Sequence, residues 1–243
     1  MSVHVTRISV FSGALALTLM AGAAHATPIS LTYQGASSGS EAKTVTITDA
    51  PVAYPGSGSW PKSVGAYGFN MTDTSGLLGN FLAWCLDVGS FLSTSSTAAK
   101  PYVITESPFS NSVALDVSRI QAVFDANFKT VDATNGVQAA GFQLALWNAV
   151  YEDDWDISDG AFRVSADSAI IDKAQAYLDA ANSYVGGTQW RMTFLESNPA
   201  AGETKHQNLV TVSPVPIPAA GGMLLLALGG LGMAARRRKA AKA

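Results

Sequence analysis

The chain has 243 residues, a formal charge of −3 and a single cysteine. An acid-leaning chain lacks the basic excess that nucleic-acid binding requires, and one cysteine excludes an internal disulfide. Two of its three histidines, His4 and His25, fall in the first 26 residues, so a His/Cys zinc site or a His-dependent triad would have to be built on His206 alone.

Residues 1–26 read as a secretory signal. Arg7 supplies the basic start, 8–24 are mostly apolar, and Ala24-His25-Ala26 is a small-x-small cleavage site that leaves Thr27 as the first mature residue. Beyond it, 29–33 and 43–48 alternate apolar and polar residues and predict strands. A Gly/Ser-rich turn separates them, and a Pro/Gly-rich loop follows over 51–63. A further strand is expected at 65–71. The run 81–88 is apolar on both faces, the pattern of a central buried strand, and 102–104 is a shorter one.

The middle of the chain is helical in pattern. Asp116 is a candidate N-cap, followed at helical spacing by Val117, Ile120, Val123, Phe124 and Phe128. Asn135 opens a second helix running to about 151. It is apolar nearly all round and is therefore expected to be buried. A third helix spans 167–184, with Ile170, Ala174, Tyr177, Leu178 and Ala181 on one side and Gly186-Gly187 at its end. Between the second and third helices, Glu152, Asp153, Asp154, Asp156 and Asp159 have part of the pattern of a calcium loop. The glycine falls one place late and the closing Glu is missing. The segment reads as a solvated turn into a short strand at 161–164, with no metal assigned.

The chain then returns to β structure. Residues 190–195 alternate and 207–212 run back, a hairpin signature, with His206 in the polar turn between them. Strands flanking a three-helix block give an α+β domain over 27–213, its strands arranged as a β-sandwich or barrel. Within it stand 9 basic residues against 18 acidic ones, a net charge of −9.

The last segment, 214–243, has three parts. Val215, Pro216, Ile217, Pro218 and Ala219 precede an apolar stretch over 220–235, and Arg236, Arg237, Arg238, Lys239 and Lys242 follow. It resembles the PEP-CTERM sorting signals in their Val-Pro-Leu-Pro-Ala variant, with Ile217 in place of Leu. The resemblance implies Sec export in a Gram-negative bacterium and transient anchoring in the inner membrane by a C-terminal transmembrane helix. It further implies removal of the tail by an exosortase-type processing enzyme and delivery to the cell surface or extracellular matrix.

Two residues are chemically out of place. Cys85, in Phe81-Leu82-Ala83-Trp84-Cys85-Leu86-Asp87, is a lone thiol in a chain built for export, where cysteines usually pair. Gln143, in Ala140-Gly141-Phe142-Gln143-Leu144-Ala145-Leu146-Trp147, is a lone amide in an apolar helix, and its donors and acceptor need partners. One reaction accounts for both: the Cys85 sulfur attacks the Gln143 side-chain carbonyl, ammonia leaves, and an internal thioester remains. On an extended strand Asp87 points to the same side as Cys85, where it could take the thiol proton. Trp84 and Trp147 could shield the bond from water.

The two motifs resemble the thioester domains of bacterial surface adhesins, in Trp84-Cys85-Leu86 and in Phe142-Gln143-Leu144-Ala145-Leu146-Trp147. The best-known members are Gram-positive, whereas many PEP-CTERM proteins carry a similar pair. The resemblance implies covalent adhesion or crosslinking, in which an amine or hydroxyl of a surface or matrix partner opens the thioester once. That is a binding protein without turnover and without a cofactor, not an enzyme. The alternative from another class is a non-reactive structural matrix protein in which Cys85 and Gln143 are core packing.

Overall fold

A computed structural model describes residues 26–216, apart from 57, 93, 95–97, 106–108 and 110–113. The expected signal at 1–26 and sorting segment at 214–243 lie outside the described residues, save for 26 and 214–216. Among the described residues no helix is long and apolar enough to cross a membrane.

Among the described residues, nine strands and three α-helices follow in the order β1 (Thr27–Ala36), β2 (Lys43–Asp49), β3 (Lys62–Ala66), β4 (Phe69–Asp73), β5 (Asn80–Cys85), β6 (Lys100–Thr105), α1 (Val117–Asn127), α2 (Gly136–Tyr151), β7 (Arg163–Ser165), α3 (Ser168–Asn182), β8 (Trp190–Ser197) and β9 (Leu209–Pro214). Six strands close into an antiparallel barrel in the order β1-β4-β5-β9-β8-β6, and β3-β2-β7 form a separate small sheet. The domain is thus α+β, with a barrel and a three-helix block. The β8–β9 hairpin runs in continuous register from Trp190 opposite Pro214 to Leu195 opposite Leu209.

Period-two burial fixes which way the strands face. Ile29 and Leu31, Val45 and Ile47, and Phe69 and Met71 are each buried alternately. The run expected as one strand at 65–71 is two strands in different sheets. The chain turns at Tyr67-Gly68, where a Cβ on Gly68 would stand 2.8 Å from Leu82 and 3.2 Å from the Trp84 ring. That close approach to β5 ends one strand and starts the next in the barrel. The buried run expected at 81–88 is extended only to Cys85.

These three helices start within one residue of the expected positions, with Asp116 the N-cap of the first as read from the sequence. The Asp116 carboxylate accepts from the Ser118 and Arg119 N–H groups, and the Asn135 side chain from those of Val137 and Gln138. α3 buries Ile170, Ala174, Tyr177, Leu178 and Ala181, the side read from its spacing, and it ends before Gly186. α2 is buried over nearly its whole length and packs on α1, α3, β2, β3 and β5. Gly141 permits the close α2–α3 approach, since a Cβ there would meet Lys173 at 2.8 Å and the Ala174 backbone at 3.1 Å. Trp84, Phe124, Phe128 and Phe142 join α1, α2 and β5 through edge-on ring contacts. Each fully buried side chain of this size contributes about 1.5–3 kcal/mol.

The acidic segment after α2 is tied down by its own chain. Asp154 accepts from Asp156 N–H, Asp156 from the Ser158 N–H and hydroxyl, and Glu152 from Phe162 N–H. The Arg119 guanidinium donates to the Asp153 and Asp154 carbonyls and stacks 3.8 Å from the Trp155 ring. Among the described residues no group of three or more His, Cys, Asp or Glu is arranged to hold a metal. His206 is not a freely solvated turn residue: it bridges Phe91 and is half-buried, and burial lowers its pKa.

Candidate functional site

β4 begins at Phe69, which pairs with Ala83, so two residues further along β5 the β4 side of the ladder has no strand. On the other side β9 pairs with Trp84 and Cys85, and Leu86 N–H donates to the Asn208 carbonyl. The Cys85 main chain needs a partner on the open side, because buried backbone groups are costly to leave unpaired. Gln143 supplies it. Cys85 N–H donates to Gln143 Oε1 at 3.0 Å, and Gln143 Nε2 donates to the Cys85 carbonyl at 2.8 Å. The side-chain amide from α2 takes the place of a missing strand residue, and both residues have zero solvent exposure.

The sulfur is held by the turn that follows. The Cys85 thiol donates to the Asp87 carbonyl at 3.2 Å, and Asp87 N–H donates to Sγ at 3.3 Å. Asp87 therefore meets the sulfur through its main chain. Because extended structure stops at Cys85, the Asp87 carboxylate does not line up beside the thiol. It accepts instead from Gly89 N–H at 2.8 Å and from Lys205 Nζ at 3.0 Å. Burial and the Asp87 charge push the thiol pKa up to about 12, against the opposing effects of the Asp87 main-chain contact and the Trp147 indole.

The two tryptophans do different things. Trp147 lies one helical turn beyond Gln143, close enough to help lower the Cys85 thiol pKa, although its buried indole N–H closes no full hydrogen bond. Trp84 faces the ring cluster instead, 4.8 Å from Phe142. Of the expected sorting and cleavage residues, Ala24, Ile217, Pro218 and Ala219 lie outside the described residues. Ala26, Val215 and Pro216 are exposed near the two ends of the domain.

Three site residues escaped the sequence reading. Lys205, from the loop before β9, neutralises Asp87. Tyr102 is buried and Tyr151 half-buried beside the Cys85–Asp87 turn, and burial together with those neighbouring charges raises both phenol pKa values. The Tyr151 hydroxyl also accepts from Val88 N–H at 3.0 Å. Spacing could have found Tyr151, since Gln143, Trp147 and Tyr151 recur every four residues on one helix face. Nothing in the sequence marks Lys205.

No protein-family model and no curated protein matches the chain. Among solved structures it is similar to the N-terminal thioester domain of fibronectin-binding protein SfbI from Streptococcus pyogenes, with a TM-score of 0.39 and 13% identity over 72% of this chain and 95% of that one. It is also similar to the N-terminal thioester domain of a protein F2 like fibronectin-binding protein from Streptococcus pneumoniae, with a TM-score of 0.36 and 15% identity over 71% and 94%. The Bacillus anthracis TIE protein is more distant, with a TM-score of 0.33 and 10% identity over 71% of this chain and 39% of that one. Likenesses this remote assign no role to any residue.

Proposed function

We propose that this domain is the working part of an exported surface or matrix protein, and that Cys85 and Gln143 form an internal thioester used once for covalent adhesion or crosslinking. The observation that carries the reading is the paired hydrogen bond in a fully buried site: the amide to be attacked is held by the main chain of the residue that bears the sulfur. In this reading the Sγ–Cδ bond forms, the Cδ–Nε2 bond breaks, and the thiol proton leaves with the nitrogen as ammonia. Charge gathers on Oε1 during attack, and Cys85 N–H already lies on that oxygen at oxyanion-donor distance. With the thiol pKa near 12, the proton passes to the departing nitrogen as sulfur attacks rather than being shed beforehand. The residues around the bond position and shield it, and nothing is turned over. Residues 1–26 then serve as the export signal and 214–243 as a sorting tail that anchors the chain in the inner membrane until an exosortase-type enzyme removes it. The destination is the cell surface or matrix of a Gram-negative bacterium.

A second reading rests on the same two hydrogen bonds. They give both the oxygen and the nitrogen of the Gln143 amide a partner without any reaction, as expected of a non-reactive structural protein. Intact mass separates the two. Mature protein purified without amines is expected to be lighter by one ammonia and to gain one methylamine on treatment, with the deficit absent in Cys85→Ala. Full mass and an alkylatable Cys85 in folded protein would establish the structural reading instead.

A further inference from the structure

Among the described residues, a cavity adjoins the site at Trp147. It has a volume of about 230 Å³ and lies between the small sheet, the segment after β5 and α2, with Trp147 in its wall. That is below the roughly 300–1,000 Å³ typical of drug-sized ligand sites, and is room for one small ring. Its other walls include Tyr54, Tyr67, Phe69 and Phe91. Tyr54 and Phe91 meet edge to face with centroids 5.4 Å apart, and Phe91 is 51% exposed, the most exposed aromatic wall of the cavity. Ser63, Ser90 and Gln207 are polar residues of the same lining.

The charges decide what such a cavity takes. None of the described residues lining it is Asp or Glu. Lys62 Nζ already stands over the Tyr54 ring at 5.1 Å from its centroid, so the position where an incoming ammonium would gain most from that ring is held by a like charge. Asp87, the carboxylate nearest the sulfur, is neutralised by Lys205. A lysine side chain entering here would lose its hydration and find no anion. A sugar ring fits better. Its weakly positive C–H faces match the negative faces of aromatic rings, and its hydroxyls match the serines and the Gln207 amide.

Building on the thioester reading, we infer that this cavity is the acceptor site and that the group which opens the thioester is a hydroxyl of a neutral carbohydrate. In that step the sugar oxygen bonds to Gln143 Cδ, the Cδ–Sγ bond breaks, and the hydroxyl proton passes to the Cys85 sulfur. The products are a carbohydrate ester of the Gln143 acyl group and a free thiol. Burial holds that thiol protonated, which suits it to keep the proton. Trp147, between cavity and sulfur, must turn aside for the hydroxyl to reach the carbon.

The test uses mature protein with three probes at equal concentration: methylamine, Nα-acetyl-lysine amide and a neutral glucan oligosaccharide. Adducts are followed by intact mass. The oligosaccharide adduct is expected to form faster than the lysine adduct and to be released by mild alkali, as an ester is and an amide is not. In Tyr54→Ala and in Phe91→Ala, the ratio of the oligosaccharide rate to the methylamine rate is expected to fall about tenfold, the scale of losing one stacked ring. A preferred lysine adduct, or an unchanged ratio in both variants, would overturn the carbohydrate assignment while methylamine incorporation left the thioester standing. No incorporation of methylamine in folded protein would remove both.

Discussion

Gln143 bonds to the main chain of Cys85 and not to its sulfur, so its contribution to stability can be separated from any crosslink. In a Cys85→Ala background both hydrogen bonds remain possible and no thioester can form. Adding Gln143→Leu there orphans a buried N–H and a buried carbonyl, each costing about 1–3 kcal/mol. The urea midpoint is expected to fall accordingly at constant m. A change of a few tenths of a kcal/mol would mean that the amide does not complete the ladder. The same geometry explains what was legible at this scale. Cys85 and Gln143 announce themselves because a lone thiol in a chain read as exported and a buried amide each violate a rule that sequence exposes. The orientation of Asp87 did not, because it depends on a strand ending at Cys85, and an apolar run through Val88 conceals that end.

At the scale of elements, helices were readable and strand ends were not. A helix carries its own start signal and its own period, and Asp116 and Asn135 fulfil the first through bonds wholly local to the sequence. A strand ends where its neighbour ends. β3 and β4 were fused in the sequence reading because only the packing of Gly68 against Leu82 and Trp84 separates them. The β4–β5 connection is a local device of another kind. Asp73 accepts from the Ser75 hydroxyl and from the N–H groups of Ser75, Leu77 and Leu78. Burial alone would raise its pKa, but these hydrogen bonds outweigh burial and bring it down to about 2. A pKa lowered on folding means that the folded chain holds its proton less tightly than the unfolded one, whose carboxylate titrates near about 3.9. The Asp73 contribution is therefore complete above about pH 4 and is lost as pH falls through about 2. The gap in urea midpoint between wild type and Asp73→Asn is expected to be constant from pH 6 to about 4 and to narrow below it. A gap that widened on acidification would contradict these hydrogen bonds.

Across the whole molecule, the pairings that close the barrel join strands distant in sequence. β1 meets β6, β6 meets β8, and β5 meets β9, and no local pattern specifies such partners, so barrel and sandwich were equally open from sequence. The same long-range character gives the Cys85–Gln143 pair its mechanical consequence. Cys85 ends a barrel strand, whereas Gln143 sits on the helix packed against the small sheet and the other two helices. A bond between them would join barrel to helical block and close a loop of about 59 residues in the unfolded chain. In the loop-entropy model that closure is worth about 4 kcal/mol, less whatever Cys85 loses when Nε2 no longer donates to its carbonyl. Opening the bond with methylamine acts on the unfolded state as well as the folded one, because the released chain expands and exposes more surface to denaturant. The treated protein is thus expected to unfold at lower urea concentration and with a larger m than the untreated protein. The same treatment should leave Cys85→Ala unmoved in both. A lower midpoint with unchanged m would place the loss in folded packing around the adduct, and coincident transitions before and after treatment would mean that no crosslink joins the two halves.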